Sequence, residues 1–143
     1  MFIKLTNGVP ETYTIGQLRK DNPNVSFPKD IPLETLASYN VYPLTVADRP
    51  IYNNLIETTV LNTPTEVNGA WIQSYSVVQK SQEDAERNIR EQRNFLLSES
   101  DWTQVEDAPV DKTVWATYRQ ALRDITTQEG FPFNVTFPNK PTI

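Results

Sequence analysis

The sequence predicts an α+β protein with a small β-rich N-terminal module, residues 1–80, that contains a hairpin, and a helical C-terminal module, residues 81–143. Residues 1–80 are rich in Pro, Asn and Thr and contain short β-favouring runs, whereas nearly all long helical periodicity follows Lys80-Ser81. The second module is expected to begin with a polar helix and to end in an extended tail in which aromatic residues alternate with prolines.

The composition restricts the classes of function. The chain has 143 residues, of which 38% are hydrophobic and 22% charged, and this favours one compact domain or two small modules over disorder. A formal net charge of −5 offers no basic surface for a phosphate backbone, so we expect no nucleic-acid partner. The N-terminal apolar run is too short for a signal sequence or a membrane span. We therefore expect a soluble protein that is made in the cytoplasm and has no membrane partner.

The residue types that are missing argue against catalysis. Without Cys or His the chain has no thiolate nucleophile, no imidazole base and no usual ligand for zinc or haem iron. The four glycines lack the spacing of a phosphate-binding loop, and the acidic residues between positions 101 and 111 lack the pattern of a calcium loop. We expect no enzyme, no cofactor and no metal. A small polysaccharide hydrolase stays a remote alternative that requires two carboxylates about 5 to 10 Å apart in a cleft.

The first elements are expected to be short. Met1 to Leu5 predicts a strand, and Thr14 is a suitable cap for a short helix that stops before Pro23. The later prolines at 28, 32 and 43 favour turns and short edges, because each fixes φ and removes a backbone donor.

A hairpin is predicted in the second part of this module. Residues 57–62 and 70–79 both have strand-like content, and they are separated by Pro64 and by Asn68-Gly69, a dipeptide suited to positive φ. The two segments are therefore expected to pair with each other.

The second segment of this hairpin carries an aromatic face. Strand alternation places Trp71, Gln73, Tyr75 and Val77 on the same side. Two interpretations are open: Trp71 and Tyr75 cover the core of the small sheet, or they form a face that binds a partner.

Ser81 is a suitable cap for the polar helix, with acidic residues in the first turn. Apolar residues form only a sparse line along it, namely Ala85, Ile89, Leu96 and Leu97. Such a helix either bridges the two halves of the chain or pairs with a second copy. The run from Ser98 to Asp101 is expected to break it, before a further turn that begins at Trp102.

The last helix has the strongest periodic signal in the chain, with Asp111 as its cap. Its apolar residues recur at spacings of three and four and so share a face: Val114, Trp115, Tyr118, Leu122 and Ile125. Arg119 and Arg123 are expected to point away from that face and to form surface ion pairs with acidic residues. The tail beyond Gly130 is apolar for a terminus, so either it folds back on this helix or a partner covers it.

Several sequence blocks occur in a fixed order. They are Arg93-Asn94-Phe95-Leu96-Leu97, Ser100-Asp101-Trp102-Thr103-Gln104, Asp107-Ala108-Pro109, Trp115-Ala116-Thr117-Tyr118-Arg119-Gln120-Ala121-Leu122-Arg123-Asp124-Ile125 and Gly130-Phe131-Pro132. This series resembles the phage tail fibre assembly chaperone family over residues 93 to 138. Thr126 stands where that family often has Pro, and Phe137 where it often has Trp.

The resemblance implies that the protein helps a trimeric tail fibre to fold or assemble in the host cytoplasm, with no covalent chemistry. A variant of this hypothesis keeps the protein on the virion tail as a minor component. The alternative is a purely structural tail, baseplate or fibre-adaptor subunit. The tail fibre protein is the expected partner, with other tail or baseplate proteins and a second copy of the chain as further candidates.

For the contacts with a partner we predict five aromatic residues: Trp71, Tyr75, Phe131, Phe133 and Phe137. Core burial is the competing interpretation for each of them. The apolar residues of the family blocks are expected to build the core instead, namely Leu96, Leu97, Trp102, Trp115, Tyr118 and Leu122.

Overall fold

The computed structural model describes all residues from Met1 to Ile143. Its helices and strands are, in order, β1 (Phe2–Thr6), β2 (Val9–Tyr13), α1 (Ile15–Asp21), α2 (Leu33–Ser38), β3 (Val41–Val46), β4 (Glu57–Leu61), β5 (Thr65–Val67), β6 (Ala70–Gln73), β7 (Tyr75–Gln79), α3 (Gln82–Glu99) and α4 (Lys112–Arg123). Short 3-10 helices follow α3 at Asp101–Gln104 and α4 at Asp124–Thr127. The predicted α+β class, β-rich first and helical afterwards, is confirmed.

The chain forms two compact units. Unit 1 consists of Met1–Ile51 and Thr59–Val77, and unit 2 consists of Tyr52–Thr58 and Val78–Ile143. The division of the sequence into modules at residue 80 stays a prediction. None of the helices is long and apolar enough to span a membrane.

Unit 1 is built on a five-stranded sheet with the order β2-β1-β3-β6-β5. All neighbours are antiparallel except β3 and β6, which pair in parallel. The tight turn between β1 and β2 uses Asn7 and Gly8, both with positive φ. The first strand predicted from the sequence is confirmed as β1.

The core of unit 1 lies between this sheet and its helices. Tyr13, Leu18, Leu36 and Val41 are buried together. The predicted cap of α1 is confirmed, because the Thr14 side chain accepts a hydrogen bond from the backbone N–H three residues later in a capping box. That cap fixes the start of α1 and so places Leu18 in the core.

The predicted pairing of residues 57–62 with residues 70–79 is confirmed in part, because β4 pairs with β7. Asn68-Gly69 does form a hairpin turn, but it joins β5 to β6. The predicted second strand is therefore divided into β6 and β7, which lie in different sheets. The reason is a break at Ser74, whose carbonyl accepts a hydrogen bond from the Asn62 N–H at 2.9 Å. The chain changes its strand partner there.

This break also makes the predicted aromatic face wrong. Trp71 and Gln73 belong to β6 in the five-stranded sheet, whereas Tyr75 and Val77 belong to β7 in the two-stranded sheet. The four residues therefore do not form the face of one strand.

The helices of unit 2 begin where the sequence predicts. The Ser81 side chain caps α3, and the Asp111 carboxylate accepts hydrogen bonds from the N–H groups of Thr113 and Val114 at the start of α4. Ala85 and Ile89 of α3 are buried. The helix ends at Glu99, as the Ser98 to Asp101 run predicts.

The core of unit 2 is aromatic. Trp115, Tyr118 and Leu122 are buried together, and they are surrounded by Leu96, Leu97, Val110 and Phe137. Trp115 meets Tyr118 edge to face, with ring centroids 5.7 Å apart. Ile125 is buried as well, so most of the predicted apolar face of α4 is confirmed.

Two predictions about side chains in unit 2 are wrong. Trp102 is 42% exposed and is not a core residue, and Val114 of the predicted α4 face is 48% exposed as well. Arg119 forms the predicted ion pair with an acidic residue, Asp101, but it is only 8% exposed and does not lie on the surface. Its guanidinium reaches the C-terminal end of α3, where helix carbonyls lack partners, and this explains its burial.

The tail of unit 2 folds back, which is one of the two predicted outcomes. Phe137 packs against the core around Trp115. The segment is not extended from its start, because the Asn134 N–H donates to the Gly130 carbonyl and closes a turn. From Val135 onward it contains no regular element.

Candidate functional site

An apolar surface groove of unit 1 lies beside α2, and we call it the α2 groove. It has a volume of about 430 Å³, and its lining includes Leu33, Glu34, Ala37, Pro43, Thr45 and Trp71. Residues of α2, β3 and β6 therefore meet there, since the parallel pairing of β3 with β6 brings Trp71 opposite Leu44. The strand and helix patterns of the sequence do not predict this groove.

The side chains of the α2 groove are unusually open to solvent for apolar residues. Leu33, at the first position of α2, is 64% exposed. Trp71 is half-buried, and its ring lies 6.4 Å from that of Tyr42 at a tilt of 38°. The Tyr42 contact holds the indole in place while part of its surface faces water.

A second apolar groove lies in unit 2 between α4 and the tail, and we call it the tail groove. Its volume is about 360 Å³, and its lining includes Val114, Thr117, Ala121, Pro138 and Pro141. No charged residue lines it. The exposure of Val114, which is unexpected from the helical pattern, is explained by its position at this groove.

The other predicted contact residues have partners within their own units. The Arg49 guanidinium lies over the Tyr75 ring at 5.2 Å, and the Arg90 guanidinium lies over the Phe131 ring at 5.3 Å. Phe133 is half-buried, and Phe137 is part of the core cluster. Of the five predicted residues, Trp71 alone lines the α2 groove and none lines the tail groove.

A polar cluster joins the family blocks to each other. The Arg119 Nη1 donates to the Leu97 carbonyl at 2.6 Å and to the Ser100 hydroxyl at 2.7 Å, and its Nη2 donates to the Asp101 carboxylate at 2.7 Å. Ser100 is buried, and its hydroxyl donates in turn to the carbonyl of Leu96. The cluster closes the end of α3 and fixes it against α4.

The titratable groups of unit 2 are perturbed for structural reasons. Hydrogen bonds from Ser81 and Arg87 lower the pKa of Asp84 at the start of α3. Burial raises the pKa of Tyr118, which stays neutral in the aromatic core. Neither the α2 groove nor the tail groove is lined by two carboxylates, so neither offers the pair that glycoside hydrolysis requires.

These features describe a small α+β protein with an open apolar groove in each of its two units. Residues 86–142 match the model of a protein family described as phage tail assembly chaperone protein, and the matched segment extends from α3 through α4 to the tail. The resemblance predicted from the sequence is thereby confirmed over this part of the chain. No curated protein and no solved structure matches the chain.

The family match supports a role as a chaperone in the assembly of the bacteriophage tail. A chaperone of tail assembly binds tail proteins, and the family is one of assembly chaperones and no known class of enzyme. The matched segment contains the tail groove and the Arg119 cluster, whereas the α2 groove lies outside it.

Proposed function

We propose that this protein is a tail fibre assembly chaperone that binds the phage tail fibre protein in the host cytoplasm. The family match over residues 86–142 is the observation that carries the proposal. Two further features support it: both units carry an open apolar groove, and the net charge of −5 keeps the free protein apart from nucleic acid.

A tail fibre is a partner that needs such help. Intertwined trimeric β-structures fold slowly and expose unpaired strand edges and apolar surface while they do so. A small protein that covers this surface until the trimer closes would suppress aggregation.

Among the five predicted aromatic residues, Trp71 is the strongest candidate for a contact with the fibre. It is half-buried in the α2 groove, and a Trp in a partly open groove is typical of residues that dominate binding energy. Phe131 and Tyr75 present rings that an arginine already covers, and Phe137 contributes to the core. We therefore place these three, and Phe133, in supporting roles.

Co-expression with the fibre gene of the same phage tests the proposal. We expect soluble trimeric fibre only when the chain is present, and we expect the two proteins to elute together in size-exclusion chromatography. Fibre that folds equally well without the chain would refute the chaperone role. A high copy number of the chain in purified particles would then favour a structural tail or baseplate subunit.

The same particles test whether the protein is retained on the virion. We include retention as a minor tail component in the proposal, so the purified tail should contain the chain at or below the copy number of the fibre. Its absence from particles that needed it for fibre folding would restrict its action to assembly.

A further inference from the structure

The α2 groove defines the chemistry of a partner segment. We infer that it binds an extended segment of the fibre in which an apolar side chain is adjacent to a lysine or arginine. This inference rests on the proposed function, and it adds the location and the kind of sequence that is bound.

The lining of the groove explains the apolar side chain. Leu33, Ala37 and Pro43 present hydrocarbon to solvent, and the half-buried Trp71 adds to the apolar lining. A volume of about 430 Å³ lies within the range of about 300 to 1000 Å³ that is usual for ligand pockets. The 64% exposed side chain of Leu33 would lose most of its contact with water when the groove is filled.

The size of the groove favours an extended segment. A volume of about 430 Å³ accepts only a few side chains. An extended chain directs alternate side chains to opposite sides, so it inserts one or two of them while the rest remain outside.

The charges around the groove explain the basic residue. Glu34 is the one charged residue in the lining, and Glu66 of β5 lies directly opposite Trp71 in the strand pair. Both carboxylates are exposed, and neither forms an ion pair within the protein. Two uncompensated negative charges beside an apolar groove favour a cationic neighbour in the bound segment and disfavour an anionic one.

Short overlapping peptides that tile the fibre sequence provide the probe, and the full chain is tested in wild-type form and as three variants. L33S removes apolar lining at an exposed position, where surface substitutions rarely affect folding. E34K reverses the charge of the groove. D48K makes the same charge change at an exposed carboxylate of unit 1 outside the lining, and it is the matched control.

We expect the wild type to bind peptides that contain an apolar residue next to Lys or Arg. L33S should weaken this binding about tenfold, which corresponds to the loss of one well-packed contact. E34K should weaken the same peptides and favour those with Asp or Glu, whereas D48K should retain the wild-type preference.

Three results are decisive. If L33S and E34K bind the wild-type peptides with unchanged affinity, the groove is not the binding site and the inference is wrong. If soluble fibre depends on the chain but no basic peptide binds, the proposed function stands and the inference fails. If basic peptides bind through the groove while the fibre folds without the chain, the inference stands and the chaperone role fails.

Discussion

Replacement of Arg119 by methionine removes the polar cluster that joins α3 to α4. Two hydrogen bonds, to the part-buried Leu97 carbonyl and to the buried Ser100 hydroxyl, are lost along with the bond to Asp101. Hydrogen bonds that involve a charged group contribute about 1.5–3 kcal/mol each. The bond to Asp101 contributes less, because that carboxylate is 66% exposed and its charge is screened by water.

One opposing effect reduces this sum. The buried Nε of Arg119 makes no hydrogen bond within the protein, and methionine relieves its desolvation cost of about 1–3 kcal/mol. The net loss in free energy of unfolding is therefore about 2–3 kcal/mol, which for a chain of this size lowers the Tm by about 10 °C.

The measurement is thermal and urea unfolding followed by tryptophan fluorescence, since Trp115 is buried in the same unit. R123M is the matched control: Arg123 lies one turn further along α4, is exposed and forms no ion pair, so its loss should change the stability by less than about 0.5 kcal/mol. If R119M unfolds within about 1 kcal/mol of the wild type, the cluster does not stabilise unit 2 and the reasoning fails.

Three further predictions concern single sites. S81A removes the cap of α3 and should cost about 1 kcal/mol in urea unfolding, while S81T, which retains the hydroxyl, should keep most of the stability. Burial and the hydrogen bond to Asp21 raise the pKa of Tyr13 to about 12. The contribution of the neutral Tyr13 to the free energy of unfolding is therefore complete below about pH 10 and is lost as the pH rises toward 12. The free energy of unfolding of Y13F should depend less on pH in that window than that of the wild type. G130A would place a Cβ in steric overlap with the Asn134 carbonyl oxygen and should cost about 2 kcal/mol or more by thermal unfolding, and a wild-type Tm would contradict this.

The helices of unit 2 were predictable because their signals are local. Ser81 and Asp111 are good caps placed immediately before a change in polarity, and the spacing of Trp115, Tyr118 and Leu122 defines one face. Each signal lies within a few residues of the element that it defines, so tertiary contacts were not needed to interpret it.

The arrangement of the strands was not predictable in the same way. The turn at Asn68-Gly69 is a local signal, and the pairing of residues 57–61 with residues 75–79 follows the prediction, but the division of the second strand at Ser74 and the pairing of β6 with β3 do not. Ser74 carries no special backbone preference that a strand pattern reveals. Strand pairing is decided by contacts between residues that are far apart in sequence, and local sequence patterns do not reveal these contacts.

The candidate site shows the same limit. Trp71 was identified because a large aromatic residue in a strand stands out, whereas Leu33 lies in a six-residue helix with little periodicity. The spacing of Arg119 predicts that it points away from the apolar face of α4 and lies on the surface. Arg119 is buried because the C-terminal end of α3 lies next to it. The helical pattern of α4 does not predict where α3 ends.

The parallel pairing of β3 with β6 has a consequence for synthesis on the ribosome. Residues Leu44 to Val46 of β3 pair with Trp71 to Gln73, so their outer edge stays unpaired until the chain has grown past residue 73. At about 5–20 residues per second, the interval lasts on the order of a few seconds. During this time the nascent chain itself carries an open strand edge, and the α2 groove does not exist until translation has reached Trp71. Premature termination before that codon would therefore yield a fragment that has most of the strands of unit 1 and no groove.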